Sequence, residues 1–144
     1  GSENPFIEEL ISPSTGPTNS TDLILKPEGI AYDWVTDTFY YTDNGLNIIV
    51  SYQVATRMRY VIAYSDAPRA IVVHPCKGLL FWSDVGKEPM IVKSSLAGSQ
   101  YEKIITTDIK WPNGLTIDFE KDKLYWADAY YDKIETCDFD GNYR

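Results

Sequence analysis

The sequence predicts an all-β fold assembled from repeated four-stranded antiparallel units. Three observations carry this. A Pro-headed apolar run occurs three times, as Pro27–Asp33, Pro68–His74 and Pro112–Asp118, with starts 41 and 44 residues apart. Each run is followed by an aromatic pair, one variable residue and an aspartate, and the distance from Pro to Asp is 16 residues in every copy. β-Branched and aromatic residues dominate the stretches between regularly spaced turn residues, and no stretch carries a long amphipathic helical period. Four short strands in about 40–45 residues is the arithmetic of a β-propeller blade.

Within each unit the first strand is the run after the proline. A polar turn follows at residues 35–38, 75–78 or 120–123. The second strand ends in the aromatic pair: Tyr40-Tyr41-Thr42-Asp43, Phe81-Trp82-Ser83-Asp84 and Tyr125-Trp126-Ala127-Asp128. A loop, longer in the second copy at residues 85–89, leads to third strands at residues 48–54, 91–96 and 134–139. Fourth strands are predicted at residues 59–63 and 102–106. Residues 6–11 resemble a fourth strand belonging to a preceding blade. The chain therefore divides into residues 1–26 (a tag remnant at Gly1-Ser2, that outer strand and a Ser/Thr/Gly/Pro-rich loop), blade 1 at 27–67, blade 2 at 68–111, and blade 3 at 112–144 without its outer strand.

Composition narrows the function. The 144 residues carry 13 Lys and Arg against 21 Asp and Glu, a net charge of −8. This balance argues against coating nucleic acid and favours a basic partner. No apolar run approaches the roughly 18–20 residues of a membrane helix, so membrane insertion by this segment is not expected. Two cysteines, Cys76 and Cys137, are too few for a disulfide scaffold or a four-ligand zinc site; they either pair or serve as small buried hydrophobes. The lone histidine, His74, precedes Pro75 at the end of an apolar run and is assigned a structural role. Asn19 heads a glycosylation sequon in the Ser/Thr/Gly/Pro-rich loop, which hints at secretion.

The aromatic-aromatic-x-Asp motifs, with the stretch Trp111-Pro112-Asn113-Gly114-Leu115-Thr116-Ile117-Asp118, resemble the YWTD repeats of the low-density lipoprotein receptor family. The resemblance covers residues 27–144. It implies six blades per ring, of which these are half, in an extracellular, non-enzymatic binding module flanked by EGF-like modules, with no cofactor. The parent would be a cell-surface receptor of the endocytic, lipoprotein-receptor type.

The motif itself reads as structure. Tyr41, Trp82 and Trp126 share one register and are expected to fill the space between blades, with Tyr40, Phe81 and Tyr125 beside them. Asp43, Asp84 and Asp128 stand where a carboxylate can accept backbone N–H groups or meet Arg69. Gly29 and Gly114 allow inner strands to approach closely. Binding is expected on the face built by the loop into the first strand and the loop after the second. There Glu28, Arg69, Trp111, Asn113, Tyr130 and Tyr131 combine charge with rings, a combination suited to a protein ligand. Two alternatives compete. Glu28 and Asn113 also suit the axis of a calcium-dependent, lactonase-type hydrolase, against which Arg69 argues. An assembly module, in which two copies close a ring or the rest of a longer propeller completes it, is the other.

Overall fold

The computed structural model describes residues 10–11 and 24–144. Asn19 and most of the predicted leading strand, residues 6–9, lie outside the described residues. Among the described residues, eleven strands form three antiparallel sheets. The first holds β1 (Pro27–Asp33), β2 (Thr38–Asp43), β3 (Ile48–Gln53) and β4 (Met58–Tyr64). The second holds β5 (Pro68–His74), β6 (Leu79–Asp84), β7 (Met90–Ser95) and β8 (Glu102–Ile105). The third holds β9 (Pro112–Asp118), β10 (Lys123–Asp128) and β11 (Lys133–Asp138), with no fourth strand among the described residues. Strand order within each sheet follows the chain. We refer to the sheets as blades 1, 2 and 3. Their inner strands lie side by side, β1 against β5 and β5 against β9.

The period of the strands explains the packing. Alternate side chains point to opposite faces of a sheet, so each blade is apolar on both sides and must be covered on both. Tyr40 and Ile49 on one face of blade 1 share a buried cluster with Ile71, Val73, Leu80, Trp82 and Val92 of blade 2. Phe81 and Ile91 on the far face of blade 2 share another with Leu124, Trp126 and Cys137 of blade 3. Trp82 and Trp126 therefore fill inter-blade space as expected. Tyr41 does not lie between two described blades: with Ile48 and Val50 it is covered by Ile11 and Ile24.

The turns repeat as faithfully as the strands. Asp33 Oδ1 accepts the N–H groups of Val35 and Thr36, and Asp118 Oδ1 accepts those of Glu120 and Lys121. His74 occupies the same place in blade 2, and its Nδ1 accepts the Lys77 N–H at 3.4 Å. A short 3₁₀ turn, Pro75–Lys77, replaces the polar turn there, with Gly78 closing it at φ 64°. His74 is thus a turn cap with its ring edge-on to Phe119 and Phe139.

Each inner strand is irregular just after its proline. In blade 1, Thr42 Oγ1 accepts the Gly29 N–H at 2.9 Å and donates to the Arg69 carbonyl of blade 2 at 2.6 Å. In blade 2, Ser83 Oγ accepts the Ala70 N–H at 3.0 Å. A Cβ added at Gly29 would overlap the Arg69 carbonyl oxygen, whereas one added at Gly114 would have no neighbour within 4 Å. Close approach explains the first glycine and not the second, because no described strand lies beyond β9.

The cysteines are both free. Cys137 is buried in the cluster between blades 2 and 3, and burial pushes its thiol up to a pKa of about 11. Cys76 is exposed on the 3₁₀ turn. The structure corrects the possible Cys76–Cys137 disulfide, and the description as two buried hydrophobes holds only for Cys137.

Candidate functional site

The three motif aspartates build the loop face. Asp128 accepts backbone N–H groups from Lys110 and Trp111, ahead of β9, and from Tyr130 and Tyr131, after β10. Burial alone would raise its carboxyl pKa, but these four N–H groups outweigh that and hold it below the ordinary value. Asp43 accepts the N–H groups of Leu25, Lys26, Gly45 and Leu46 in the same manner. Asp84 accepts those of Ala67 and Gly86, plus the Ser65 hydroxyl. All three are buried, so each carboxylate clips its two loops together. Their partners are backbone groups and Ser65; Arg69 is engaged elsewhere.

Clipping the loops places one residue from each inner strand in contact with the next. Arg69 Nε donates to Glu28 Oε2 at 3.1 Å, and a terminal Arg69 nitrogen donates to Asn113 Oδ1 at 2.8 Å. Glu28 also meets Lys26 at 3.3 Å and accepts from Asn44 Nδ2 at 3.3 Å. Burial pushes the Glu28 carboxyl up, but Asn44, Lys26 and Arg69 outweigh it and lower its pKa. Three blades therefore contribute one chain of polar contacts, Glu28–Arg69–Asn113. Glu28 faces two cations, which disfavours a divalent metal at this position and removes the main support for the hydrolase alternative.

The second group is aromatic. Trp111 and Tyr130 meet edge to face with centroids 5.2 Å apart, and Tyr130 and Tyr131 do the same at 4.9 Å. Lys133 sits over the Tyr131 ring at 5.1 Å. All three rings are about half exposed although Asp128 holds their backbones. Asn113, two residues after Trp111, lines a groove with Asp128, Asp132 and Lys133. Every one of the six residues predicted for this face thus makes contacts within one of two groups. Lys26 and Lys133 are additions. Lys26 stands in the repeat where Trp111 stands in blade 3, and that alignment is the only sequence signal for it.

Comparison with known proteins agrees with this architecture. Residues 78–119 match the family model described as low-density lipoprotein receptor repeat class B. Vitellogenin receptor Yl of Drosophila melanogaster is 34% identical over 143 residues, covering 94% of this chain and 7% of the relative. The low-density lipoprotein receptor-related protein 5-like protein of Homo sapiens is 37% identical over 123 residues, covering 84% of this chain and 49% of the relative. A chain in a crystal structure of a nidogen/laminin complex superposes with a TM-score of 0.77 at 31% identity, covering 80% of this chain and 45% of that one. The chain spans about half the length of the second relative and of the solved chain, and a small part of the first. Fold and repeat together define a partial β-propeller of four-stranded, YWTD-type blades. Residues 78–119 match a low-density lipoprotein receptor class B repeat, and the chain as a whole resembles the YWTD-type propellers of that family.

Proposed function

We propose that this chain is part of an extracellular, non-enzymatic module of a receptor-like protein that binds protein ligands through the loop face. Blade limits of 27–67, 68–111 and 112–144 go with this reading, as do neighbouring EGF-like or propeller modules in the parent. The observation that carries it is the pairing of Trp111, Tyr130 and Tyr131 with the Glu28–Arg69–Asn113 chain on one clipped surface. Half-exposed rings supply area at low entropic cost, and fixed polar groups set orientation. The names of the relatives support a protein ligand: one is a vitellogenin receptor and one solved structure holds nidogen with laminin.

The test is surface plasmon resonance with the chain immobilised and laminin and vitellogenin as probes. Binding by either probe is expected to weaken tenfold or more in Trp111→Ala and Arg69→Ala, with the circular dichroism unchanged. Binding that ignores both substitutions would place the contact elsewhere.

A further inference from the structure

Two Asn-Gly pairs stand on the loop face, Asn44-Gly45 and Asn113-Gly114. Glycine has no side chain to hinder its neighbour, so its amide nitrogen can reach the carbonyl carbon of the preceding asparagine side chain. The blades hold the two pairs differently.

Asn44-Gly45 is tied down at each reacting group. The Asn44 N–H donates to the Lys26 carbonyl at 2.9 Å, and its side-chain amide donates to Glu28 Oε1 at 3.3 Å. The Gly45 N–H, on the atom that would attack, donates to Asp43 Oδ1 at 2.9 Å, and Asp43 is fully buried.

Asn113-Gly114 is held by fewer groups. The ladder slips at this point: Pro112 lies opposite Asp128 and Gly114 opposite Ala127, so no residue of β10 opposes Asn113. An extra residue of this kind bends its strand locally. The hydroxyl that takes the equivalent N–H in the other blades is also missing. Thr42 Oγ1 accepts the Gly29 N–H at 2.9 Å and Ser83 Oγ accepts the Ala70 N–H at 3.0 Å, whereas the same column in blade 3 is Ala127. Arg69 adds activation. Its terminal nitrogen donates to Asn113 Oδ1 at 2.8 Å, where it stabilises the negative charge that develops on that oxygen when the carbonyl carbon is attacked.

We propose that Asn113 is a site of spontaneous deamidation, a self-modification of the loop face that Asn44 escapes. The Gly114 nitrogen bonds to the Asn113 side-chain carbonyl carbon, its proton passes to Nδ2, and Nδ2 leaves as ammonia. The product is a five-membered succinimide. Water then breaks one of the two ring C–N bonds. Opening at the side-chain carbonyl gives aspartate, and opening at the main-chain carbonyl gives isoaspartate, with no oxidant or reductant involved. Either product sets a second carboxylate against Arg69, opposite Glu28, and isoaspartate also lengthens the backbone two residues after Trp111. The consequence for ligand binding rests on the loop-face reading above; the chemistry does not.

Peptide mass spectrometry on the folded chain, aged at neutral pH, tests this. Conversion is read as a gain of about one mass unit at each asparagine, and isoaspartyl methyltransferase labels the isoaspartate. Asn113 is expected to convert at least tenfold faster than Asn44. In urea the two should convert at similar rates, since the sequence pair is the same. Ala127→Ser restores the hydroxyl and is expected to slow Asn113 at least threefold, and Gly114→Ala should stop it within the same period. Equal rates for Asn44 and Asn113 in the folded chain, an Asn113 that converts only in urea, or indifference to Ala127→Ser would overturn the proposal. Binding is read separately: Asn113→Asp is expected to weaken laminin or vitellogenin binding about tenfold. Conversion at Asn113 with binding unchanged would break the loop-face reading and leave the modification standing.

Discussion

Ile91 and Ile134 hold the same position in adjacent blades, pair across the same kind of ladder, and differ in one respect. Ile91 is enclosed between blades 2 and 3, and Ile134 faces outward from blade 3. Gly29 and Gly114 repeat the contrast at the axis. The comparison teaches that a blade's alternating pattern creates two apolar faces and that only a neighbouring blade turns them into core. Repeat arrays gain stability largely at their interfaces, and the ends are where that gain is missing.

The strongest way to break the comparison is to charge both isoleucines. Ile91→Asp is expected to cost about 4 kcal/mol or more, because it buries an unpaired carboxylate. Ile134→Asp is expected to change the stability by less than about 0.5 kcal/mol. Urea unfolding of both variants decides this; equal losses would mean that the end face is already enclosed.

Next in size is the Asp128 clip. Asp128→Ala is expected to cost about 3 kcal/mol by leaving several N–H groups without their acceptor. The sign of its pH dependence follows from the depressed carboxyl pKa. The unfolded value lies near about 3.9, so the stabilisation is complete above it and is lost as pH falls through the lower folded value. Wild type should therefore lose stability on acidification more steeply than Asp128→Asn. Parallel curves would show that the carboxylate charge contributes nothing.

Smaller still is the glycine pair. Gly29→Ala is expected to cost about 2 kcal/mol through the Arg69 carbonyl, and Gly114→Ala close to nothing. The smallest effect is on thiol reactivity. Cys76 is expected to react promptly with Ellman's reagent, whereas Cys137 should react only on unfolding, since burial disfavours its thiolate. Two prompt thiols would mean that the junction between blades 2 and 3 opens.

Much of this was legible in advance. The spacing from each proline to its aspartate placed β1, β2 and their counterparts, and the aligned positions of Asp33, His74 and Asp118 mark one turn cap in three forms. Strand limits moved by a residue or so, as at β7, which begins at Met90. The six loop-face residues were also identifiable, because the repeat puts Glu28, Arg69 and Asn113 in one column. What was not legible was partnership. Nothing local says that Arg69 chooses Glu28 and Asn113 over the motif aspartates, that Lys26 joins them, or that Cys137 is buried while Cys76 is not.

By itself, then, the sequence determined the blades: their number among these residues, their strands, and which positions point to the same side. Pleat, turn and cap are rules acting over a few residues, so they survive in a one-dimensional reading. Only the tertiary structure decided which face meets which, because stacking joins residues some 40 positions apart whose contact depends on how the inner strands crowd. That crowding gives Gly29 its purpose, leaves Gly114 open, and turns three separate side chains into the polar chain Glu28–Arg69–Asn113.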